Sequence, residues 1–152
     1  NSDDMDIKMA AMTHPNVTSE HITKALHNSY DPLRETAIQH PKATPEHISY
    51  ALNDGDSLVR RAAISHPNAT SEHIHKALDD PSEKVRSSAI QNSNATAEHI
   101  TKALNDSSSL VRLRAIGNKN STEEHLNKAL NDPNSQVSRT ANSILQARKH
   151  GW

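Results

Sequence analysis

The chain has 152 residues, of which only 33% are hydrophobic, with no Phe, one Trp and two Tyr, so it is too lean to build a thick globular core. Its 17 Lys and Arg oppose 18 Asp and Glu, and the net charge of −1 excludes a generally basic protein that binds nucleic acid or anionic lipid. The absence of Cys excludes disulfides, thiolate metal sites and cysteine nucleophiles and fits a cytoplasmic protein, and no apolar run approaches the length of a membrane span.

The sequence repeats itself at a fixed step of 26 residues. Residues 1–13 form a half-unit, in which Ile7 and Ala11 stand where a later unit has Val59 and Ala63. Residues 144–152 continue at helical spacing and predict a C-terminal capping helix. We expect one domain over residues 1–152 and, because it starts in mid-unit, a trimmed piece or part of a longer array. The five full units, without insertion, are residues 14–39, 40–65, 66–91, 92–117 and 118–143.

Each unit predicts a first helix that begins after a threonine. In the third unit Thr70 is followed by Glu72 in the first turn, where the positive end of the helix dipole favours an acid. Ile74, Ala77 and Leu78 then stand at i, i+3 and i+4 and define one buried stripe. The predicted N-caps are Thr18, Thr44, Thr70, Thr96 and Thr122.

Each unit also predicts a second helix. In the third unit it opens at Asp80 and Pro81, with Glu83 placed as a capping-box partner, and it carries the apolar Val85 and Ile90. One unit buries too few large side chains to offset the cost of ordering its backbone, so neighbouring units must stack and cover each other's apolar stripes. The sequence therefore predicts an all-α solenoid, a superhelix of five two-helix units with a half-unit before them and a cap after them.

One arginine in each of four second helices falls inside the apolar arc. On a helical wheel at about 100° per residue, Arg86 lies between Val85 and Ile90. A partly buried guanidinium is tolerated only when it is paired. We expect a recurring aspartate to cap its second helix and also to accept an arginine from its own or the adjacent unit. This predicts a structural ladder, favoured over a functional anion site, of Arg34, Arg60, Arg86 and Arg112 with Asp54, Asp80, Asp106 and Asp132.

The second helix resembles that of HEAT-type α-solenoids in the run of Asp80, Pro81, Val85, Arg86 and Ala89. The stretch VRRAAISHPNATSEHIHKAL, residues 59–78, is closer still to the leucine-rich-repeat-variant unit. The resemblance covers practically the whole chain and implies an α-superhelical stack, with one helix of each pair wound as 3₁₀ as in the variant repeats, and a role as a binding scaffold. The period of 26 residues departs from both families, being shorter than in HEAT repeats and slightly longer than in the variant repeats.

A histidine recurs in every first helix, and others stand at unit starts, as His66 does. Metal binding needs ligand nitrogens about 2.0 to 2.1 Å from one ion, whereas equivalent residues in adjacent layers lie about 9 Å apart, so one row cannot chelate. His66 and His73 could approach across the connecting turn, but only Glu72 recurs beside them as a third ligand. We expect no metal and no other cofactor. A hydrogen-bonding role at the rim of the inter-layer contact is assigned to His21, His47, His73, His99 and His125.

Positions that differ between units are the better candidates for contacting a partner, since the shared positions build the stack. Leu113 stands out because its counterparts are Glu35, Arg61, Ser87 and Arg139, so a leucine there has no stacking role and predicts an exposed apolar patch. A scattered surface leucine is an equally weighted alternative. In HEAT-like stacks the second helices line the concave face, and by that resemblance the candidate groove comprises Leu58, Arg61, Leu110, Leu113 and Arg114.

Three functions compete. The first is a non-catalytic scaffold, monomeric or weakly self-associating and without membrane contact, that binds an unidentified protein through the candidate groove. The second is nucleic-acid binding, by analogy with HEAT-like DNA glycosylases; it needs a basic groove with aromatic residues, and the neutral charge and near absence of aromatics argue against it. The third is a lyase or chaperone of a chromophore, by analogy with HEAT-like phycobilin lyases, and it rests on the fold alone. The sequence favours the first.

Overall fold

The computed structural model describes residues 2–151, and every regular element within them is an α-helix. The prediction of an all-α fold built from two-helix units is confirmed. Residues 1 and 152, which the sequence assigns to the half-unit and the C-terminal cap, lie outside the described residues. The helices are α1 (Ser2–Met12), α2 (Ser19–Leu26), α3 (Asp31–Ile38), α4 (Pro45–Ala51), α5 (Ser57–Ile64), α6 (Ser71–Ala77), α7 (Glu83–Gln91), α8 (Ala97–Ala103), α9 (Ser109–Gly117), α10 (Glu123–Ala129) and α11 (Ser135–Lys149).

The helices are arranged in two layers. The odd-numbered helices pack in series, each on the second helix of the preceding unit, while the even-numbered first helices pack on the second helix of their own unit. In the described chain, every pair of helices with substantial contacts belongs to the same unit or to adjacent units. The chain is therefore an α-solenoid in which each unit is covered by its sequence neighbours.

The core runs through the whole stack and uses the same positions in each unit. Ile74 and Val85 of the third unit are completely buried, and Ala77 and Leu78 are nearly so. The largest fully buried side chains are all isoleucine, valine or leucine, which fit the narrow space between layers. They are Ile22, Ile38, Ile48, Ile64, Ile74, Ile90, Ile100, Ile116, Leu126, Val59, Val85 and Val111.

The first helices begin as the threonine pattern predicts. Thr70 lies in extended backbone, and its side chain accepts a hydrogen bond from the His73 N–H at 3.4 Å. Thr18, Thr44, Thr96 and Thr122 are N-caps in the same way. A threonine oxygen satisfies one of the N–H groups that have no partner inside the helix.

The second helices begin later than the sequence suggests. The third one was expected to open at Asp80 and Pro81, yet α7 starts at Glu83 with Ser82 as N-cap and without a side-chain cap bond. Asp80 instead accepts the Ser82 N–H at 2.8 Å, which holds the loop before the helix. The expectations of an aspartate cap and a Glu83 capping box were wrong, because the Asp80 carboxylate is drawn to Arg60 of the preceding unit.

Both helices of each unit are α-helices, so the 3₁₀ helix implied by the variant-repeat resemblance does not occur in the described residues. The last helix, α11, continues without a break past the expected unit boundary after Ser143. Its extension packs Ile144 and Leu145 against the core, and Arg148 donates to the Ser121 carbonyl at 2.7 Å. Residues 144–149 of the expected C-terminal cap are thus the end of α11. No helix in residues 2–151 is long and apolar enough to cross a membrane.

Candidate functional site

Four arginines join adjacent units through the aspartates of the following loop. Arg60 of the second unit donates from Nε to Asp80 Oδ2 at 2.8 Å and from Nη2 to Asp80 Oδ1 at 3.1 Å. This pair therefore has the bidentate geometry in which a guanidinium matches a carboxylate. The same pairing occurs in Arg34 with Asp54, Arg86 with Asp106 and Arg112 with Asp132, with Nε to Oδ2 distances of 2.8, 2.9 and 2.7 Å.

The charges of this arginine–aspartate ladder are paired within the stack. Arg60 Nη1 also donates to the Asp54 carbonyl of its own unit at 2.9 Å. The arginine side chains are 14–16% exposed and the aspartates 8–10%. The hydrogen bond from Arg112 lowers the pKa of Asp132, and the hydrogen bond to Asp80 raises that of Arg60. Because these charges already satisfy each other between layers, an external anion would have to compete with an internal partner.

The first-helix histidines form a second ladder. His73 Nδ1 accepts the Thr70 N–H at 2.9 Å, and Nε2 lies 2.7 Å from Ser49 Oγ on the preceding first helix. Since Nδ1 faces a donor, the neutral ring carries its proton on Nε2 and donates it to the serine. Equivalent Nε2 contacts of 2.8 Å join His47 to Thr23 and His125 to Thr101.

These histidines were expected at the rim, but four of the five are buried between layers. His47, His73, His99 and His125 are 5–8% exposed, and only His21 of the first unit is exposed. The wheel position is misleading because the preceding first helix covers the ring. Burial lowers the pKa of all four buried histidines.

One rung of the histidine ladder is weak. His99 has its Nε2 3.5 Å from Ser71 Oγ, because the position that carries Thr23, Ser49 and Thr101 elsewhere carries His75 in the third unit. The His75 and His99 rings lie 6.5 Å apart, centroid to centroid. In the described chain, no group of three or more His, Cys, Asp or Glu side chains is placed to hold a metal ion.

The residues at unit starts form a third ladder, which the sequence did not reveal. His66 Nε2 contacts the His40 carbonyl at 2.9 Å, and its Nδ1 accepts the Asn68 N–H at 3.0 Å. Asn92 makes the equivalent contacts one unit later: its Nδ2 donates to the His66 carbonyl at 3.2 Å and also to the Ile64 carbonyl at 2.8 Å, and its Oδ1 accepts the Asn94 N–H at 2.9 Å. An amide can replace the ring because both offer one acceptor and one donor on the same side of the turn. The replacement of His by Asn at the unit starts is the sequence feature that could have revealed this ladder.

Three neighbouring depressions follow the outer surface of the second helices. One, of about 300 Å³, includes Leu58 and Arg61. The next, of about 540 Å³, shares Arg61 and adds Leu110 and Arg114, and the third, of about 590 Å³, shares Arg114 and adds Leu113. The structure thus places all five residues of the candidate groove along one continuous surface.

The leucines of the candidate groove differ in exposure. Leu58 is 48% exposed, whereas Leu113 is half-buried and packs against the core. The expectation that Leu113 has no stacking role was therefore wrong, because its side chain packs against the core. Leu58 is the freely accessible apolar residue of this surface.

The candidate groove is also lined by residues that sequence comparison between units did not single out. Two cations, Lys84 and Lys119, lie in the second and third depressions. The sequence did not distinguish these two lysines from others, since a surface lysine is common at any variable position. The same depressions contain the amides Gln91, Asn92, Asn118 and Gln136.

No protein-family model and no curated protein sequence matches the chain. Among solved structures, a designed armadillo repeat protein in complex with a (KR)4 peptide is 20% identical, with 85% of this chain and 81% of that chain covered and a TM-score of 0.47. A second designed armadillo repeat protein is 22% identical, with the same coverage and a TM-score of 0.42.

Proposed function

We propose that the chain is a non-catalytic scaffold that binds a protein partner through the candidate groove. The observation that carries this proposal is the continuity of the three depressions, which share Arg61 and Arg114 at their borders. A surface that spans several units suits an extended segment of another protein better than a compact small molecule.

The arginine–aspartate and histidine ladders support the same proposal, because their side chains are already occupied. The recurring arginines, aspartates and buried histidines are engaged in contacts between units, as Arg60 and His73 illustrate. A nucleophile and its base need free positions facing a substrate. The variable residues of the candidate groove are left for recognition, with Leu58 as an apolar contact and Arg114 as a polar one.

The proposal is tested by selecting binding peptides from a random displayed library against the intact chain. Selected peptides are then measured by fluorescence anisotropy against Leu58→Asp and Arg114→Gln, both at exposed positions that leave the core intact. Lys24→Gln, on the exposed side of α2, is the matched control.

The proposal expects at least about tenfold weaker binding to each groove variant and unchanged binding to the control, since a central contact contributes more than about 1 kcal/mol. Peptides that bind both groove variants as tightly as the original chain would contradict it. Circular dichroism of every variant verifies that the fold is retained.

A further inference from the structure

Four cations of the candidate groove line depressions that contain no acid, although one of them, Arg61, also borders the depression that contains Glu35. Arg61, Lys84, Arg114 and Lys119 line the second and third depressions, and no Asp or Glu lines either one. Within residues 2–151, none of the four makes an ion pair with a carboxylate. The acid that does line the surface, Glu35, belongs to the first depression.

Three lysines of the first helices instead contact side chains of the preceding unit. Lys102 forms an ion pair with Asp79 at 2.8 Å, Lys76 donates to Asn53 at 2.6 Å, and Lys128 donates to Asn105 at 3.0 Å. The second and third depressions therefore concentrate positive charge in a chain whose net charge is −1. Such a local field attracts anionic ligands although the whole protein is nearly neutral.

We infer that the candidate groove takes an acidic peptide segment in extended conformation, an inference that rests on the proposed function. The four cations would face carboxylates of the ligand, and the amides would meet its backbone. The exposed Gln91 and Gln136 offer both a donor and an acceptor, which suits the N–H and C=O of a peptide, whereas the buried Asn118 is engaged by carbonyls of the preceding unit. Half-buried Leu110 and Leu113 would contact an apolar side chain between the acids.

The observations favour a peptide over a nucleic acid. Single-stranded nucleic acid is held by aromatic side chains on which bases stack, in addition to cations. None of the three depressions is lined by Tyr or Trp among the described residues. The two described tyrosines, Tyr30 and Tyr50, lie at other places on the chain, and Tyr50 stacks on His27 with ring centroids 4.7 Å apart.

The length of the surface sets the length of the probe. Adjacent second helices lie about 9 Å apart, so the three intervals from the second unit to the fifth span roughly 27 Å. An extended chain covers about 3.3 Å per residue, so about eight residues reach across. A twelve-residue peptide is long enough to contact all four cations.

The test uses fluorescein-labelled peptides with four copies of Asp-Leu-Ser, Asn-Leu-Ser or Lys-Leu-Ser, and a twelve-nucleotide oligothymidine, titrated with the intact chain. We expect the acidic peptide to bind at least about tenfold more tightly than its amide and basic counterparts in 50 mM salt, and to weaken as salt screens the contacts. The double variant Lys84→Gln with Arg114→Gln should lose that preference. Lys24→Gln, which removes an exposed cation of α2, should retain it.

Two results would overturn the inference. Equal binding of the acidic and amide peptides, still lost in Leu58→Asp, would remove the acidic preference while leaving the groove as a protein-binding surface. Oligothymidine that binds more tightly than the acidic peptide would replace the peptide with a nucleic acid. Absence of groove-dependent binding by all four probes would also reject the acidic ligand, and the independent peptide selection would then decide the proposed function.

Discussion

Arg60 and Asp80 belong to different units and are joined by two hydrogen bonds, Nε to Oδ2 at 2.8 Å and Nη2 to Oδ1 at 3.1 Å. The pair is nearly buried, and its geometry recurs at each junction from the first full unit to the fifth. A buried charge whose opposite charge lies in the next unit makes the stacking register specific. The ladder therefore couples neighbours in addition to the apolar core.

Breaking one rung should destabilise the stack strongly. Arg60→Met keeps the apolar stem but leaves the Asp80 carboxylate without its guanidinium, and we expect the free energy of unfolding to fall by about 2 to 4 kcal/mol. Asp80→Asn retains an acceptor for the Ser82 N–H, so the double variant should recover part of the loss. Urea unfolding measures all three. As a control, Arg112→Met is combined with Asp80→Asn; these residues belong to different pairs, so their effects on the free energy of unfolding should add. If the effects of Arg60→Met and Asp80→Asn also added exactly, the pairing of Arg60 with Asp80 would be contradicted.

Acid should loosen the stack through the buried histidines. Burial lowers the pKa of His47, His73, His99 and His125, so the unfolded chain takes up these protons at higher pH than the folded chain does. The contribution of these histidines to the free energy of unfolding is therefore fully present above a pH of about 6.5, the ordinary histidine pKa. It is lost as the pH falls below that value. The Tm at pH 5 should be lower than at pH 7.5.

The pH effect can be assigned by replacing the four buried histidines with glutamine, which can fill the same capping-box position without titrating. The gap between the Tm values at pH 5 and pH 7.5 should narrow in this variant. Asp132 remains charged over this range because Arg112 lowers its pKa. An undiminished gap would assign the acid sensitivity to other groups.

The weak rung of the histidine ladder should be repairable. His75→Thr places a hydroxyl where Thr23 and Thr101 hold the Nε2 of the following histidine at 2.8 Å. The restored bond to His99 should raise the free energy of unfolding by about 0.5 to 1.5 kcal/mol. His75→Val has the same branched shape without the hydroxyl and serves as the control. Equal stability of the two variants would mean that the hydroxyl contributes nothing.

The unit-start ladder should tolerate replacement of His by Asn, because both residues already occur at unit starts in the sequence. His66→Asn should change stability by less than about 0.5 kcal/mol, because Asn92 already makes the equivalent contacts, to the His66 carbonyl and from the Asn94 N–H. His66→Ala should cost about 1 to 3 kcal/mol, since the His40 carbonyl and the Asn68 N–H both lose a partner. Thermal and urea unfolding distinguish the two, and a loss as large in His66→Asn as in His66→Ala would contradict the role assigned to the ladder.

Local patterns predicted the fold well because capping and helical periodicity act within a few residues. Thr70 and the stripe of Ile74 and Leu78 are examples in which the sequence pattern and the structure agree. Asp80 was misjudged because its environment is set by Arg60, which belongs to another unit. His73 was misplaced at the rim because a single-helix wheel leaves out the neighbouring first helix.

The candidate groove was only partly accessible to sequence reasoning. Variation between units drew attention to Leu113 and its counterpart Arg61, but the depth of packing around Leu113 depends on the adjacent helix. The positions of Lys84 and Lys119 point to a ligand only once the stack places them in two adjoining depressions that are lined by no acid. Shape and charge balance are properties of the assembled layers, so a linear pattern does not display them.

The central claim is that each unit is stabilised by its immediate neighbours. Deleting residues 66–91 removes one whole unit and brings Arg60 opposite Asp106 in the geometry that it has with Asp80. The most direct test is urea unfolding of this deletion variant by circular dichroism, beside an out-of-phase deletion of residues 66–78. Neighbour stacking predicts that the in-phase variant keeps the helicity per residue and one cooperative transition with a reduced m-value, while the out-of-phase variant loses both. An in-phase variant that is unfolded in water, or an out-of-phase variant that is as stable as the in-phase one, would contradict the account.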